Sequence, residues 1–336
     1  MKAVNTTGRP PGGDRVILAD SLPLDTPLVV QIFPIYACNL SCRFCHFAIP
    51  KDKRDFVTTY VTMSMDTLIN AVDGMAWFPR KTRVLRWVGM GEPLLNTNLS
   101  DMIAYATEKK VAERTEVLTN GLLLTPTTSK RLVRSGLSRL VISIQGTSGE
   151  KYKDIAGKEI DFEAFLDQIR YFYSIKNWCH VHIKVIDCSL DGHEDEERFF
   201  DLFGDMCDTI AIENAGPIYP NVPMNKELAV GHTTQYGAKA SEVKTCPQPF
   251  ATLQVNPDGE VVPCYSLDYP CFVGNVNTEM LFDIWNGDTM KMFRLNMLEG
   301  RAVASDACAN CKIISHRMSA EDSLDGHENR LRRLYE

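Results

Sequence analysis

The stretch LVVQIFPIYACNLSCRFC at residues 28–45 decides the fold of this chain. Its first part, residues 28–36, is an apolar run rich in β-branched residues, which predicts a buried strand. Cys38, Cys42 and Cys45 follow at once, with three and then two residues between them. Three thiolates this close together can hold one soft metal centre, and they are one short of a closed four-ligand site. The pattern therefore predicts an open metal site directly after a buried strand.

Length, charge and cysteine content exclude several classes of protein. The chain has 336 residues, a net charge of −7 and eleven cysteines. An acidic balance argues against broad nucleic-acid binding, which needs a basic face. No apolar run reaches the roughly 18 residues that cross a membrane, and the N-terminus lacks the apolar segment of a signal peptide. We therefore expect a cytoplasmic protein with no nucleic-acid or membrane partner, in which clustered cysteines are metal ligands rather than disulfides.

Strand-like and helix-like segments alternate after the cysteine loop. The predicted helices begin at good capping residues, among them Ser64, Thr125 before Pro126, and Asp161. Such alternation predicts a parallel sheet with helices outside it, either a barrel or a doubly wound sheet. The six predicted strands cover residues 28–36, 83–88, 115–119, 140–145, 180–187 and 209–213.

Composition predicts one large α/β domain between a short N-terminal segment and a small C-terminal unit. The N-terminal segment is rich in Gly, Pro and Asp, so we expect an extension without a core. Asn256-Pro257-Asp258-Gly259 lies between two short apolar runs and predicts a hairpin turn. The predicted parts are the extension (1–27), the α/β domain (28–220), a linker or mouth loop (221–245), a hairpin-plus-helix unit (246–315) and a C-terminal helix (316–336).

Two motifs together resemble the signature of the radical S-adenosylmethionine (radical SAM) superfamily. The first is the CxxxCxxC spacing of residues 38–45, with Phe44 before the last cysteine. The second is Gly89-Met90-Gly91-Glu92-Pro93 at the end of the second predicted strand, which resembles the family's GGEP motif except for a methionine in place of its first glycine. The resemblance implies an open, TIM-like partial (βα)6 barrel with its chemistry at the carboxyl ends of the strands.

The resemblance also implies the cofactors of the cysteine loop. Cys38, Cys42 and Cys45 would bind three irons of a [4Fe–4S] cluster, and the fourth iron would chelate S-adenosylmethionine. Its reductive cleavage gives methionine and a 5′-deoxyadenosyl radical, which takes hydrogen from an unactivated C–H bond. A flavodoxin- or ferredoxin-type protein would donate the electron. A zinc knuckle completed by His46 is the alternative that the spacing leaves open.

Further residues around the cofactor follow from the same resemblance. Phe44 is expected to pack near the cluster and the adenine, and residues 89–93 are expected to contact the amino group of the cofactor's methionine moiety. Ser143 and Gln145 end the fourth predicted strand, from which members of the family contact the cofactor's carboxylate or ribose. The alternative is that Ser143 and Gln145 are ordinary polar residues at the end of a strand.

Lys184 and Glu213 are candidates that follow from strand alternation. Lys184 is expected in the barrel lumen rather than against the helices, because an unpaired buried ammonium is costly. The period of two places Glu213 on the corresponding face of the sixth strand, next to Lys184. They form either a structural ion pair or a catalytic pair, in which Lys184 binds the cofactor carboxylate and Glu213 binds substrate or transfers a proton.

A second cysteine set lies in the C-terminal unit. Gly259 and Cys264 form GxxxxC, and Cys308 and Cys311 form CxxC, with Cys246 before the hairpin. This set resembles the short form of the SPASM domain, called a twitch domain, and implies one auxiliary [4Fe–4S] cluster held by all four cysteines. A structural zinc site is the alternative.

The resemblance leaves the reaction open. Related twitch-type enzymes oxidise a carbinol in a cyclitol or sugar, or invert a carbon centre in a sugar or peptide. Inversion needs a hydrogen donor, for which Cys271 is the candidate; it is alternatively a further cluster ligand. The hypotheses are an oxidoreductase or epimerase of a small molecule or peptide, a peptide-modifying maturase that forms a cross-link, and a non-catalytic zinc-binding protein. The short extension leaves no room for a leader-peptide-binding domain, which favours a small molecule.

Overall fold

One mixed sheet forms the centre of the computed structural model, which describes residues 2–9, 15–50, 53–54, 61–216, 218–219, 222, 224, 233–265 and 268–336. Its strands in these ranges are β1 (Val4–Asn5), β2 (Val29–Ile32), β3 (Thr82–Trp87), β4 (Ala112–Thr119), β5 (Arg139–Ile144), β6 (His180–Ile186), β7 (Thr209–Glu213), β8 (Thr252–Val255), β9 (Glu260–Val262) and β10 (Gly274–Asn275). Their order across the sheet is β1-β7-β6-β5-β4-β3-β2-β8-β9-β10.

Helices connect the parallel strands and build the C-terminal unit. They are α1 (Leu18–Ser21), α2 (Met65–Met75), α3 (Leu99–Lys109), α4 (Pro126–Arg134), α5 (Gly149–Ala156), α6 (Phe162–Ile175), α7 (His193–Phe203), α8 (Gln248–Ala251), α9 (Leu281–Asn286), α10 (Asp288–Glu299), α11 (Arg301–Ala304), α12 (Asp306–Asn310), α13 (Ile313–Arg317) and α14 (Glu328–Tyr335). Among the residues described, no helix is long and apolar enough to cross a bilayer.

The order of β2 to β7 distinguishes a barrel from a doubly wound sheet. These six parallel strands lie side by side in chain order. A doubly wound sheet would reverse its strand order part of the way across. β1 and β10 are the two ends of the described sheet, so it stays open. The predicted fold class, a partial (βα)6 barrel with a small hairpin-plus-helix unit, is confirmed.

Local capping explains why the predicted helices begin where they do. Ser64 Oγ accepts a hydrogen bond from the Thr67 amide, and Thr125 caps α4 in the same way. The carboxylate of Asp161 accepts from the Ala164 amide at the start of α6. Each side chain satisfies an amide that has no partner within its helix. These three predicted helix starts are confirmed.

The N-terminal segment differs from its prediction as an extension without a core. β1 pairs in parallel with β7, with Val4 opposite Thr209. Leu18 and Ala19 of α1 are buried in the apolar cluster that also contains Phe250. These elements span only two and four residues, which is too short to show a periodic pattern in the sequence.

The predicted hairpin of the C-terminal unit is present, and it extends the sheet of the barrel. β8 and β9 pair antiparallel on either side of the Asn256–Gly259 turn. β8 also pairs in parallel with β2, with Gln31 opposite Gln254. Of the loop predicted at 221–245, residues 221, 223 and 225–232 lie outside the described residues, and Thr233 forms an antiparallel bridge to Lys239. The C-terminal unit therefore adds strands to the barrel edge next to the cysteine loop.

Arg294 of α10 anchors the core of the C-terminal unit. The side chain is buried, and its guanidinium lies 3.9 Å from the centre of the Trp285 ring. Its Nε donates to the Pro249 carbonyl and its Nη1 donates to the Trp285 carbonyl, both at 3.0 Å. This one side chain joins α8, α9 and α10.

We expect Arg294→Ala to lower the free energy of unfolding by about 3 kcal/mol, because two buried carbonyls lose their donor and a cation–π contact is removed. Denaturant unfolding measures the loss. Arg333→Ala on the exposed face of α14 is the matched control and should change the value by less than about 0.5 kcal/mol. Equal stability of the two variants would contradict this role for Arg294.

Candidate functional site

The cysteine loop follows β2 and is held by helix α5, which the sequence analysis did not predict. The Ser41 amide donates to the Ala156 carbonyl at 2.9 Å, and the Arg43 amide donates to the Ile155 carbonyl at 2.8 Å. Both carbonyls lie in the last turn of α5, where helical carbonyls lack an intrahelical partner. The C-terminal end of α5 therefore holds the loop between its first and last cysteine.

Cys38, Cys42 and Cys45 lie near one another, as the spacing predicts. Cys42 is buried and the other two are half-buried. Burial raises the pKa of Cys38 to about 11 and raises the pKa of Cys42 and Cys45, and in Cys42 the other two thiols add to the effect. A bound metal would offset this cost with its positive charge. The three residues fit an open metal centre.

In the described ranges, no three His, Cys, Asp or Glu side chains are arranged to hold a single metal ion. Phe44, predicted near the cluster, is half-buried and packs against the main core.

The Gly89–Pro93 motif packs directly against residues 33–37, which lead from β2 into the cysteine loop. Gly89 has φ +142°, and a Cβ there would lie 2.6 Å from the Phe33 ring. A Cβ on Gly91 would lie 2.3 Å from the Ile35 carbonyl oxygen. The Glu92 amide donates to the Ala37 carbonyl at 2.8 Å. Two glycines are thus required because the ends of β2 and β3 nearly touch.

The Glu92 side chain holds this motif to the end of β4. Its carboxylate accepts from the Leu94 amide at 3.0 Å, the Thr119 hydroxyl at 2.6 Å and the Asn120 amide at 2.7 Å. Burial raises the pKa of Glu92, although these hydrogen bonds oppose the shift. Its side chain therefore organises the strand ends, and a contact from this motif to a ligand would come from its backbone.

Asn120 is a site residue that the sequence analysis missed. Its Nδ2 donates to Asn39 Oδ1 at 2.7 Å and lies 4.0 Å from the Cys38 sulfur. The available signal was its position, as a polar residue directly after β4 at the carboxyl end of a barrel strand.

Ser143, Gln145 and Lys184 lie together at the ends of β5 and β6. Ser143 is opposite Lys184 in the parallel register. Gln145 Nε2 donates to the Ser143 carbonyl at 2.9 Å, while its Oε1 is buried with no hydrogen-bond partner among the described residues. A buried amide oxygen without a donor fits a position that a ligand completes.

Lys184 and Glu213 form an ion pair across β6 and β7, as their predicted positions require. Gln235 Nε2 also donates to the Glu213 carboxylate, at 2.7 Å. Burial raises the pKa of Glu213, but the Lys184 charge and the two hydrogen bonds outweigh it, so the pKa lies below its ordinary value. Glu213 is therefore an ionised carboxylate within the lumen.

The four C-terminal cysteines line one small cavity. Its lining includes Cys246, Cys264, Cys308 and Cys311. Burial raises the pKa of Cys246 well above its ordinary value, and the other three cysteines add to the shift. Apolar side chains such as Phe293, Met297 and Ile314 form much of the remaining wall. Four thiols around an apolar cavity fit a closed metal cluster.

Cys271 lies beside this second set. It is half-buried, and burial together with the nearby Cys308 raises the pKa of its thiol to about 12. It is absent from the lining of the cavity, which is made of described residues. Its predicted role as a hydrogen donor or further ligand stays a prediction.

Arg317 and three tyrosines lie between the two cysteine sets and were not predicted. The Tyr219 hydroxyl donates a hydrogen bond to the Cys45 sulfur. Arg317, the last residue of α13, interacts electrostatically with Tyr219, Tyr236 and Tyr265. Its guanidinium lies 5.2 Å from the Tyr265 ring centre, and Tyr265 directly follows Cys264. No spacing rule in the sequence connects these positions.

Family models match both parts of the chain. A model described as the radical SAM superfamily matches residues 32–197, and a SPASM model, described as an iron–sulfur cluster-binding domain, matches residues 246–312. The chain is 23% identical over 298 residues to an S-adenosyl-L-methionine-dependent 2-deoxy-scyllo-inosamine dehydrogenase of Niallia circulans, covering 86% of this chain and 93% of that protein. It is 34% identical over 119 residues to a GTP 3′,8-cyclase of Limosilactobacillus fermentum, covering 35% and 33%.

Solved structures share the fold. BtrN in complex with AdoMet and 2-DOIA superposes with a TM-score of 0.54 at 19% identity, covering 87% of this chain and 96% of that chain. SuiB of Streptococcus suis bound to S-adenosylmethionine gives 0.62 at 15% identity, covering 91% and 78%. Both likenesses support the open barrel described above.

We expect Glu92→Ala to weaken the connection between the ends of β3 and β4, because the Leu94 and Asn120 amides lose their buried acceptor. Hydrogen exchange resolved by residue should show both amides exchanging roughly tenfold faster or more. Glu108→Ala on the exposed face of α3 is the control and should leave both rates unchanged. Unchanged protection in Glu92→Ala would contradict the proposed anchoring.

Proposed function

Because this chain belongs to the radical SAM superfamily and carries a SPASM iron–sulfur domain, we propose that it oxidises or epimerises a carbon centre of a small molecule. The substrate class we propose is a sugar or cyclitol. The observation that carries the proposal is the pairing of an open three-cysteine site with a closed four-cysteine cavity, with polar side chains between them. Oxidation requires a site that forms a radical and a site that accepts one electron, whereas epimerisation requires a hydrogen donor beside the radical-forming site.

The cysteines would hold two clusters. Cys38, Cys42 and Cys45 would hold a cluster with one iron free to bind a ligand, and the four cysteines of the cavity would hold a cluster with no free iron. When bound, these groups supply one-electron chemistry, in which the open cluster and S-adenosylmethionine provide a hydrogen-abstracting 5′-deoxyadenosyl radical and the closed cluster provides an electron acceptor. The backbone of residues 89–93, Ser143 and Gln145 would orient the cofactor.

The ion pair of Lys184 and Glu213 would serve the substrate. Glu213 is ionised and therefore able to accept a hydrogen bond or a proton from a substrate hydroxyl. Lys184 and Gln235 hold its carboxylate in place. In this assignment Lys184 positions Glu213, and its predicted contact to the cofactor carboxylate is the alternative role.

Oxidation is favoured over epimerisation by the sequence relatives. The dehydrogenase of Niallia circulans aligns with this chain across nearly the whole of both proteins. Oxidation of a carbinol loses a proton after hydrogen abstraction, for which Glu213 is a suitable acceptor. Epimerisation is the second candidate, because Cys271 supplies a thiol near the C-terminal cysteine set.

We expect about eight irons and little zinc per chain after anaerobic purification, because two [4Fe–4S] clusters are present. Cys42→Ala should retain about four irons and form no 5′-deoxyadenosine from S-adenosylmethionine and reductant. Cys308→Ala tests the four-cysteine set and should likewise retain about four irons. Cys179→Ala, at a buried cysteine beside the sheet, is the control and should keep all iron. Zinc in place of iron would refute the proposed function.

Incubation in heavy water distinguishes oxidation from epimerisation. Candidate sugars and cyclitols are incubated with S-adenosylmethionine and reductant in heavy water, with wild type and Cys271→Ala. We expect an oxidised product without solvent deuterium from both proteins, because oxidation returns no hydrogen to carbon. One solvent deuteron in a wild-type product that Cys271→Ala fails to form would instead establish epimerisation through Cys271.

A further inference from the structure

Arg317 is held in place by the backbone around it. The His316 carbonyl accepts from the Gln235 amide at 2.7 Å, and the Gln235 carbonyl accepts from the Asn214 amide at 3.0 Å. The His316 ring packs so closely on Gly216 that a Cβ there would lie 2.5 Å from it. These contacts tie the end of α13 to the carboxyl end of β7. The guanidinium is therefore carried on a fixed segment at the mouth of the lumen.

The other lumen cations have carboxylate partners. Arg86 contacts Glu116 at 2.6 Å, Arg139 contacts it at 3.1 Å and Arg114 contacts it at 3.9 Å. Lys184 contacts Glu213. Among the described residues, these four cations share the carboxylates of Glu116 and Glu213.

Arg317 has no carboxylate partner within the ranges that the structure describes. Arg317 donates a hydrogen bond to the Tyr265 hydroxyl and lies near Tyr219 and Tyr236. All three phenols are neutral, because burial raises their pKa. Its Nε is buried and has no hydrogen-bond partner among the described residues. A guanidinium with a buried free donor is costly unless an anion completes it. Its planar donor fork matches the oxygens of a carboxylate or a phosphate.

The neighbours of Arg317 indicate where such an anion would lie. Tyr236 and Tyr265 both interact with Arg317 and with Arg86, and Tyr236 also interacts with Glu213. The Arg317 guanidinium therefore faces the same space as Arg86 and Glu213. Tyr219 connects this space to Cys45, and Tyr265 adjoins Cys264. An anion on Arg317 would therefore lie between the two cysteine sets, where a reacting carbon is needed.

We propose that Arg317 binds an anionic group of the substrate, a carboxylate or a phosphate, and so positions the substrate between the two cysteine sets. The substrate is then an acidic or phosphorylated small molecule. The identification of the bound molecule as substrate rests on the proposed function; the binding of an anion does not. A neutral or cationic sugar gains no affinity from the Arg317 guanidinium.

Calorimetric titration of the anaerobically prepared holoprotein tests the proposal. The probes are glucose 6-phosphate, glucuronate and glucose, which share one ring and differ in charge. We expect at least one anion to bind about tenfold or more tighter than glucose. Phosphate and carboxylate are distinguished by which of the two probes binds. Wild-type protein that binds neither anion better than glucose would overturn the proposal.

Variants assign the effect to Arg317. Arg317→Gln should weaken binding of the anion roughly tenfold or more, and Arg317→Lys should weaken it less, because an ammonium keeps the charge and loses the fork. Arg333→Gln on α14 is the matched control and should bind as wild type does. Equal affinities in Arg317→Gln and Arg333→Gln would overturn the assignment. If Arg317→Gln does not fold, Arg317→Lys against Arg333→Lys decides the same question.

Two readouts separate this inference from the proposed function. Titration of S-adenosylmethionine into Arg317→Gln shows whether Arg317 binds the cofactor instead. If the variant loses as much affinity for S-adenosylmethionine as for the anion, the substrate role is overturned. Formation of 5′-deoxyadenosine by wild type tests the radical chemistry alone. Anion binding without that product would refute the proposed function and leave the anion site standing. The product without anion binding would refute the anion site only.

Discussion

Strand β2 pairs with β3 along one edge and with β8 along the other, and the positions of both cysteine sets depend on this double pairing. Its carboxyl end leads into the cysteine loop. β8 follows Cys246 and leads into the hairpin that ends near Cys264. A shift of one set relative to the other would break the backbone hydrogen bonds of a buried strand, which is strongly disfavoured. The distance between the two candidate metal sites is therefore a property of the sheet.

The open sheet also explains the polar interior. Along β5 and β6, Leu140, Ile142, Val181 and Ile183 face the helices and are fully buried. The alternate positions carry Arg139, Ser143, His182 and Lys184, which face the lumen. Burial and the nearby Arg139 lower the pKa of His182 to about 4, so this ring stays neutral at physiological pH. A closed barrel fills its interior with packed side chains, whereas this interior contains hydrogen-bonding groups and ion pairs.

The longer elements were predictable because local rules dominate them. Helix α6 has a capping aspartate and an apolar stripe, and β6 alternates between buried and lumen positions. Helix α5 was missed because only Tyr152, Ile155 and Ala156 are buried in it, and so short a set gives no clear period. β1 and α1 were missed for the same reason. Tertiary packing gives β1 and α1 their conformation, whereas α5 also has local signals, because Ser148 caps its start and Gly157 follows its end with a φ of 65°.

The sequence by itself determined that three cysteines lie close together in one loop after β2, and that Lys184 and Glu213 lie on corresponding strand faces. Both follow from short-range geometry, since ligand spacing and a period of two act over a few residues. Only the tertiary structure decided that Arg317 lies among Tyr219, Tyr236 and Tyr265. These residues come from separate loops and a short helix that no periodicity relates. Their meeting depends on how the C-terminal segment packs on the end of β7, and the absence of a carboxylate partner for Arg317 among the described residues is visible only there.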